Sequence, residues 1–313
     1  MKTVYFCQNT KVFLSIVLAC VVFIFVFIVS SDDYVSSELS SLQRCSQPEM
    51  FRTPDKARIY SQCLKTEFSQ LSSVWDDGYD ALQKCKNSSF IPAKSIIRDA
   101  NSDEVKLALV PVGLGLIKIR DCTVITLGIG HDIAIETNWK KGHYSHCEFH
   151  GADPILTKNK DLYQTIGKYY SFAVGNVSTI QNAGVKEDPD SVQYTNRPME
   201  HVELVEFLQG HVHLPRGGFI DHMLIDVEYA EYGLLDYFLK GGKLDKSEVT
   251  ICQWNIEFHP PNEWQKNVFN DFMQRIVEEG RYLPYIEARK VDWGRFFFVN
   301  VEDSRCLKRY IKF

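Results

Sequence analysis

Several classes of protein are excluded by features that this sequence does not contain. Its 35 basic side chains are outnumbered by 40 acidic ones, a formal net charge of -5, so no basic surface for nucleic acid is indicated. No cysteine spacing is typical of a zinc site, and the hydrolase signatures GxSxG, P-loop and HExxH are missing. Repeats and low-complexity tracts are missing too. With 313 residues, 45% of them hydrophobic, the chain can still bury one large core or two small ones.

A long apolar run lies near the N-terminus, over residues 12–29. At about 1.5 Å per helical residue it approaches the roughly 20 residues that span a bilayer, and it exceeds the roughly 7 to 15 apolar residues of a signal peptide. We therefore favour an uncleaved anchor over a cleaved signal peptide. Lys2 and Lys11 precede the run and Asp32 and Asp33 follow it, which predicts a cytosolic N-terminus and a lumenal or extracellular remainder.

Two further patterns are typical of the secretory pathway. Asn87 in NSS and Asn176 in NVS are acceptor sequences for N-glycosylation. Seven of the nine cysteines follow the apolar run, and an oxidising compartment permits disulfides, although an odd number leaves at least one thiol free. We interpret Cys45, Cys63 and Cys85 as staples of a polar, helical region, with partners that the sequence does not fix. The expected protein is a single-pass type II membrane protein of the Golgi or endoplasmic reticulum, secreted if the run is cleaved.

The chain beyond the apolar run divides by pattern. The predicted segments are a cytosolic tail, a membrane span, a stem with a helical region, and a main domain, at residues 1–11, 12–29, 30–101 and 102–313. In the main domain, short apolar runs alternate with helical patterns, which predicts a doubly wound, mostly parallel α/β sheet with helices on both faces. The predicted strands are 124–127, 145–149, 169–174, 222–226, 248–258, 282–286 and 295–301; predicted helices are 132–141, 230–242 and 262–280, and 182–198 is a predicted loop.

Two glycines follow the first predicted strand directly, in VITLGIGHDIAIE. Gly128 and Gly130 stand where a doubly wound sheet binds its ligand, and glycine lets the backbone approach that ligand closely. The third glycine of a dinucleotide fingerprint is missing, and His131 and Asp132 stand where the next helix should begin. A purely structural strand-to-helix turn is therefore the alternative interpretation.

An acidic residue follows the next predicted strand, at the end of HCEFHGADP before its proline. Asp153 lies 23 positions after Gly130, and an acidic side chain about 20 residues past such a turn can bind both hydroxyls of a ribose. The pair of features predicts an unphosphorylated adenosine moiety as ligand. An Asp-Pro turn or a helix cap remains the alternative for Asp153.

Five segments in order resemble the FkbM-type methyltransferase family, in particular its divergent, nematode-like members. They are TLGIGHDIAIE, CEFHGADP, YYSFAVGN, HMLIDVEYAEYGLLDYF and WNIEFHPP, and they span more than half of the chain. The most specific is IDVEYAE, at residues 225–231, where Tyr229 replaces a glycine of the family block and Leu224 replaces a lysine.

The resemblance implies a class I fold that uses S-adenosylmethionine, with seven strands of which the last is antiparallel and helices on both sides. Carried over by motif, Gly128 and Gly130 would border the methionine part of S-adenosylmethionine, and Asp132 would lie near its amino group. Asp153 would hold the ribose, and Ala173 with the two residues after it would flank the adenine.

The residues that close the fourth and fifth predicted strands carry the remaining chemistry. Methyl transfer from a sulfonium to an oxygen relies on positioning, and on a base or metal that helps deprotonate the hydroxyl. Asp226, Glu228, Glu257 and His259 could face one crevice there, and Asp226 and His259 are our catalytic candidates. Clustered carboxylates also suit a divalent ion, so the need for a metal stays open, and we assign no metal ligand. Glu228 and Glu231 fit equally well as helix caps, and His259 as a turn residue.

Two other functions stay open at this point. Asp188 and Asp190 form an Asp-x-Asp pattern of the kind that holds a metal on a sugar nucleotide, which would suit a membrane-anchored glycosyltransferase, although the pattern sits in a polar loop. A chain without the third glycine could also be a binding or scaffold protein on a methyltransferase fold. As a methyltransferase, the protein would take a hydroxyl of a glycan or another secretory-pathway small molecule as acceptor.

Overall fold

The computed structural model describes residues 55–101, 104–112, 122–185, 195–290 and 293–311, all within one compact unit that spans Thr53–Phe313. The apolar run at 12–29, Cys45, and the pair Asp188 and Asp190 lie outside the described residues. None of the helices in the described ranges is both long and apolar enough to cross a membrane.

Strands and helices alternate along the described chain. The strands are β1 (Ile96–Ala100), β2 (Val105–Leu109), β3 (Thr123–Leu127), β4 (Glu148–Ala152), β5 (Lys168–Tyr170), β6 (Ala173–Gly175), β7 (Thr179–Val185), β8 (Thr195–Glu203), β9 (Phe219–Ile220), β10 (His222–Ile225), β11 (Thr250–Ile251), β12 (Gln253–Phe258), β13 (Tyr282–Lys290) and β14 (Trp293–Asn300). The α-helices are α1 (Asp55–Phe68), α2 (Val74–Cys85), α3 (Ala134–Lys141), α4 (Asn159–Tyr163), α5 (Leu204–Glu206), α6 (Lys243–Lys246), α7 (Glu263–Glu279) and α8 (Ser304–Tyr310).

A seven-stranded mixed sheet forms the core, in the order β13-β14-β12-β10-β3-β4-β5. β12, β10, β3, β4 and β5 run parallel, and β14 is antiparallel to both of its neighbours, β12 and β13. The predicted α/β class with a large, mostly parallel sheet is confirmed. Chain order reverses at β3, which has β4 on one side and β10 on the other, and ligands bind at such a switch point.

Other parts of the predicted pattern were wrong. The apolar stretch 169–174 splits, because β5 belongs to the central sheet whereas β6 joins β8 and β7 in a separate three-stranded sheet. The two described ends of the predicted loop 182–198 belong to the paired strands β7 and β8, whose exposed, polar residues show no apolar alternation. The predicted helix 230–242 consists of two short 3-10 helices, Ala230–Gly233 and Leu235–Phe238.

Both faces of the central sheet are covered. On one face, Trp254 of β12 lies between the rings of Phe238 and Phe298, with centroids 4.2 and 3.9 Å away, and α7 packs beside them. On the other face, Trp139 of α3 packs on His222 of β10 at 4.6 Å. Burial on both faces explains why every residue of β10 and β12 is buried and why neither strand shows polar alternation.

Two side-chain amides of β12 hold the hairpin of β1 and β2 across the sheet. Asn255 accepts a hydrogen bond from the N–H of Leu107 at 3.0 Å and donates one to its carbonyl at 2.7 Å. Gln253 accepts from the N–H of Leu109 at 2.8 Å. These amides satisfy buried backbone groups of β2 as a neighbouring strand would. The start of β2 thereby reaches the edge where the parallel strands end.

The two N-terminal helices pack against the main sheet. Helices α1 and α2 contact α7 and β13, and the ring of Tyr60 in α1 stacks on Tyr285 at 5.0 Å.

Disulfides link several segments of the described chain. Cys63 and Cys85, expected to be staples, form a disulfide with each other between α1 and α2. The disulfides are Cys63–Cys85, Cys122–Cys147 and Cys252–Cys306.

Asp221 is a buried carboxylate that ties three segments together, and its removal should destabilise the fold. It accepts hydrogen bonds from the N–H of Thr123, from Arg309 and from the hydroxyl of Tyr310. Breaking a buried ion pair from one side typically costs about 3 kcal/mol, so Asp221→Ala should lower the free energy of unfolding by about that amount in urea titrations. Asp271→Ala, in an exposed pair with Arg275, should change it by less than about 1 kcal/mol. Equal losses in both variants would contradict this role.

Candidate functional site

A cavity of about 500 Å³ opens at the carboxyl ends of β3, β4 and β10, where the chain order reverses. Its volume is within the range of small-molecule sites. Most of its wall is formed by residues 128–132, 152–155, 181–185 and 226–230, with Glu104 and Lys106 from the hairpin. The remaining lining residues are Asn101, Asn159, Ala173, Val174 and His201.

The two glycines after β3 are required for different reasons. Gly128 has φ +80°, and a Cβ there would lie 1.7 Å from the carbonyl oxygen of Asp226, so the protein's own backbone excludes a side chain. Gly130 has φ +61°, and no described atom lies within 4 Å of a Cβ built on it. Gly130 lines the cavity, so the space that its missing side chain leaves belongs to the cavity. Close approach of a ligand therefore explains why position 130 is a glycine. At position 128, contact with the protein's own backbone already requires one.

Asp153 lies at the end of β4, buried and in the cavity wall, and its carboxylate holds the glycine loop. Oδ2 accepts hydrogen bonds from the N–H groups of Ile129 at 2.8 Å and Gly130 at 3.3 Å, and Oδ1 accepts from Ile155 at 2.7 Å. Burial raises the pKa of Asp153, although these N–H groups oppose the rise. The predicted ribose contact thus stays a prediction, and the structure adds a loop-holding role.

Asp132 and Asn159 support the same loop from its far end. Asp132 lines the cavity, and its Oδ1 accepts a hydrogen bond from the N–H of Ala134 at 2.9 Å, where α3 begins. Asn159, at the start of α4, accepts from the N–H of His131 at 2.9 Å. We had not singled out Asn159, because one amide in a polar turn has no sequence signature.

The three-stranded sheet forms the wall opposite the glycine loop. Ala173 of β6 is half-buried and lines the cavity, where the family resemblance places the adenine. Gln181 and Asn182 of β7 line the cavity too. Asn182 is the first residue of the predicted loop 182–198, and Gln181 directly precedes that loop. Polar amides here make this wall suitable for a ligand rich in hydroxyl groups.

Asp226, Glu228 and His259 come together where β10 and β12 end, although only Asp226 and Glu228 line the cavity. Nε2 of His259 lies 3.2 Å from Oε2 of Glu228 and 3.7 Å from Oδ1 of Asp226. On the other side of the imidazole, Glu231 accepts the backbone N–H of His259 at 2.9 Å and lies 3.2 Å from Nδ1. Glu231 is fully buried, so it orients the histidine and does not contact the cavity.

The ionisation of this cluster does not favour His259 as a base. Burial alone lowers the pKa of His259, but hydrogen bonds to Glu228 and Glu231 and the charge of Asp226 outweigh it and raise the pKa to about 11. Burial, together with Glu257 and Glu104, raises the pKa of Asp226 well above its usual range. In this state His259 carries a positive charge, and Asp226 is the better proton acceptor of our two catalytic candidates.

A buried charge network lies behind the cluster, and our sequence analysis missed most of it. Lys106 pairs with Glu104 at 2.7 Å, and Arg295 pairs with Glu257 at 2.5 Å. Glu257 is buried in this pair and does not line the cavity, in contrast to our expectation. A lysine inside the apolar run of β2 was the one signal in the sequence, since a buried lysine needs a partner.

Because Gly128 and Gly130 have different surroundings, we expect their replacement by alanine to lower the stability of the protein by different amounts. Gly128→Ala forces the loop away from Asp226 and should cost more than about 3 kcal/mol, or prevent folding. Gly130→Ala should cost only about 1 to 2 kcal/mol for a side chain in left-handed backbone. Gly217→Ala is the matched control, because Gly217 has φ +75°, open space around its Cβ and a place outside the cavity. Urea unfolding measures all three, and equal losses at Gly128 and Gly130 would contradict this assignment.

Comparisons with known proteins identify one family over most of the described chain. Residues 83–284 match the family described as the methyltransferase FkbM domain. One similar solved structure is a crystal structure of methyltransferase FkbM from Methylobacillus flagellatus KT, with 9% identity and a TM-score of 0.38. The match covers 78% of this chain and 58% of that one, so the chain spans little more than half of the length of that protein. No curated protein matches the chain.

The family match includes the glycine loop, Asp153, the cluster around His259 and every parallel strand of the central sheet. It covers more than half of the chain. The protein therefore belongs to the FkbM methyltransferase family.

Proposed function

We propose that this protein is an S-adenosylmethionine-dependent methyltransferase that methylates a hydroxyl of a glycan or another small molecule in the secretory pathway. The observation that carries the proposal is the cavity at the switch point, bounded by the glycine loop on one side and by Asp226 and Glu228 on another. One wall can hold a cofactor while the other provides a proton acceptor, as the reaction requires.

The residues present fit S-adenosylmethionine. Gly130 leaves open space at the cavity wall, and Asp153 fixes the loop backbone through the N–H groups of Ile129 and Gly130. Asp132 would lie near the amino group, and Ala173 beside the adenine. Because Asp153 already accepts hydrogen bonds from three backbone N–H groups, a ribose hydroxyl would share this carboxylate with the loop.

S-adenosylmethionine supplies a methyl group on a sulfonium, which leaves as the thioether when the acceptor oxygen attacks in line. The protein contributes position and a site for the proton. Asp226 lies at the cavity, where a carboxylate can accept the proton of the acceptor, and burial together with Glu257 and Glu104 raises the pKa of Asp226. The acceptor O–H proton would move to Asp226, while the positive charge of His259 holds Asp226 and Glu228 in place.

Binding tests this proposal without knowledge of the acceptor. Calorimetry of the full chain should detect S-adenosylmethionine, and Gly130→Ala should weaken it at least about tenfold, equivalent to about 1.4 kcal/mol, by filling the space at the wall. Gly217→Ala should bind as the wild type does. Binding of a sugar nucleotide instead would favour the glycosyltransferase alternative. Binding of neither ligand would favour a scaffold, and equal affinities in the two variants would remove the glycine loop from the cofactor site.

The lumenal placement of the domain rests on the apolar run, the disulfides and the glycosylation sequences. Asn87 and Asn176 are both exposed in the structure, so a glycosyl group could be accommodated at either side chain. Three disulfides in one domain also favour an oxidising compartment.

Glycosidase treatment checks this placement. The full chain expressed in animal cells should lose mass on treatment with peptide-N-glycosidase, and the double variant Asn87→Gln with Asn176→Gln should show no such loss. Asn182→Gln, which changes an asparagine outside any acceptor sequence, is the control. In sealed microsomes the domain should resist protease until detergent is added. An unglycosylated wild-type chain that protease digests without detergent would overturn the topology.

A further inference from the structure

We propose that Asp226, Glu228 and His259 bind a divalent transition-metal ion at the edge of the cavity. The three side chains come from two elements, since His259 follows β12 and the two carboxylates follow β10. Their donor atoms all lie within 4.8 Å of one another.

The distances between the donor atoms match those around a metal ion. Ligands bound at about 2.1 Å in tetrahedral or octahedral geometry stand roughly 3.0 to 3.4 Å apart. Nε2 of His259 lies 3.2 Å from Glu228 and 3.7 Å from Asp226, so small side-chain movements would bring all three to a common ion. No backbone rearrangement is needed.

The histidine is oriented as metal-binding histidines are. Its Nδ1 faces the fully buried carboxylate of Glu231, which leaves Nε2 directed at Asp226 and Glu228. A carboxylate behind the second ring nitrogen fixes the ring and raises its strength as a ligand. This arrangement distinguishes the cluster from a group of acidic residues on a surface.

A second observation is an unsatisfied buried oxygen. Oδ1 of Asp226 is buried and accepts a hydrogen bond from no residue that the structure describes. Buried carboxylate oxygens normally have partners, because desolvation without compensation is costly. Three carboxylates, those of Asp226, Glu228 and Glu231, surround the single imidazole of His259. A dication, which would displace the proton from Nε2 of His259 on binding, would provide the missing partner.

The donor set indicates the class of ion. Carboxylates suit manganese and the alkaline-earth ions, and imidazole suits zinc and its neighbours, so a mixed set favours Mn²⁺ or Zn²⁺ over Mg²⁺ or Ca²⁺. Asp226 and Glu228 line the cavity, so the remaining coordination positions face it. There the ion would bind the acceptor oxygen, a role that rests on the proposed function, whereas ion binding itself does not.

Manganese titration of the full chain, followed by the electron paramagnetic resonance signal of free Mn²⁺, tests the site. The wild type should bind one ion per chain, and Zn²⁺ should displace it. Asp226→Asn and His259→Gln should each weaken binding more than about 100-fold, and Glu231→Gln roughly 10- to 100-fold, the usual effect of a carboxylate that orients a ligand. Glu263→Gln, an exposed carboxylate nearby in sequence, is the control and should bind normally.

The outcomes separate the metal site from the cofactor site. Titration is done without S-adenosylmethionine, so absent Mn²⁺ and Zn²⁺ binding would overturn the metal site and leave the methyltransferase proposal standing. Retained Mn²⁺ affinity in Asp226→Asn would also overturn the metal site. The substitution is near-isosteric and the Asp226 side chain is partly exposed, so this variant should still fold. A melting curve of each variant identifies any that has unfolded, and Asp226→Asn then decides the result.

Discussion

The contact between Gly128 and the backbone of Asp226 determines how the two halves of the site are arranged. Because a Cβ at Gly128 would overlap the carbonyl oxygen of Asp226, the loop after β3 and the turn after β10 approach as closely as two backbones can. The loop is fixed on its other side by Asp153, through the N–H groups of Ile129 and Gly130. The glycine loop and the carboxylate cluster are thus held at one distance by main-chain atoms, which would suit a reaction that depends on positioning.

The second constraint is the buried charge behind the cluster. Lys106 is buried; burial lowers its pKa, but Glu104 and Glu136 outweigh burial and raise it, so the ammonium persists inside the fold. It is held there because Asn255 and Gln253 hold β2 across the sheet. The amide side chains of β12 therefore act on the site indirectly, by placing a cation beside carboxylates that would otherwise repel one another.

Sequence alone predicted the parts of this site that follow strands with strong apolar patterns. The α/β class, the glycine turn and the meeting of Asp226, Glu228 and His259 depend on which residues end parallel strands, and that can be counted along the chain. The hairpin of β7 and β8 could not be predicted, because its exposed strands lack the alternation that burial imposes. The pairing of Glu257 with Arg295 could not be predicted either, because it depends on the antiparallel register between β12 and β14.

The turn after β10 shows how this chain departs from the family block. Glu228 and Tyr229 have φ values of 48° and 75°, so Tyr229 retains the left-handed backbone that suits the glycine it replaces. A tyrosine in this conformation costs roughly 1 to 2 kcal/mol relative to ordinary backbone. Its ring, half exposed, lies 5.1 Å from the imidazole of His259, where packing offsets part of that cost. Tyr229 therefore has a backbone conformation that suits glycine and adds an aromatic ring beside the cluster, in the wall of the cavity.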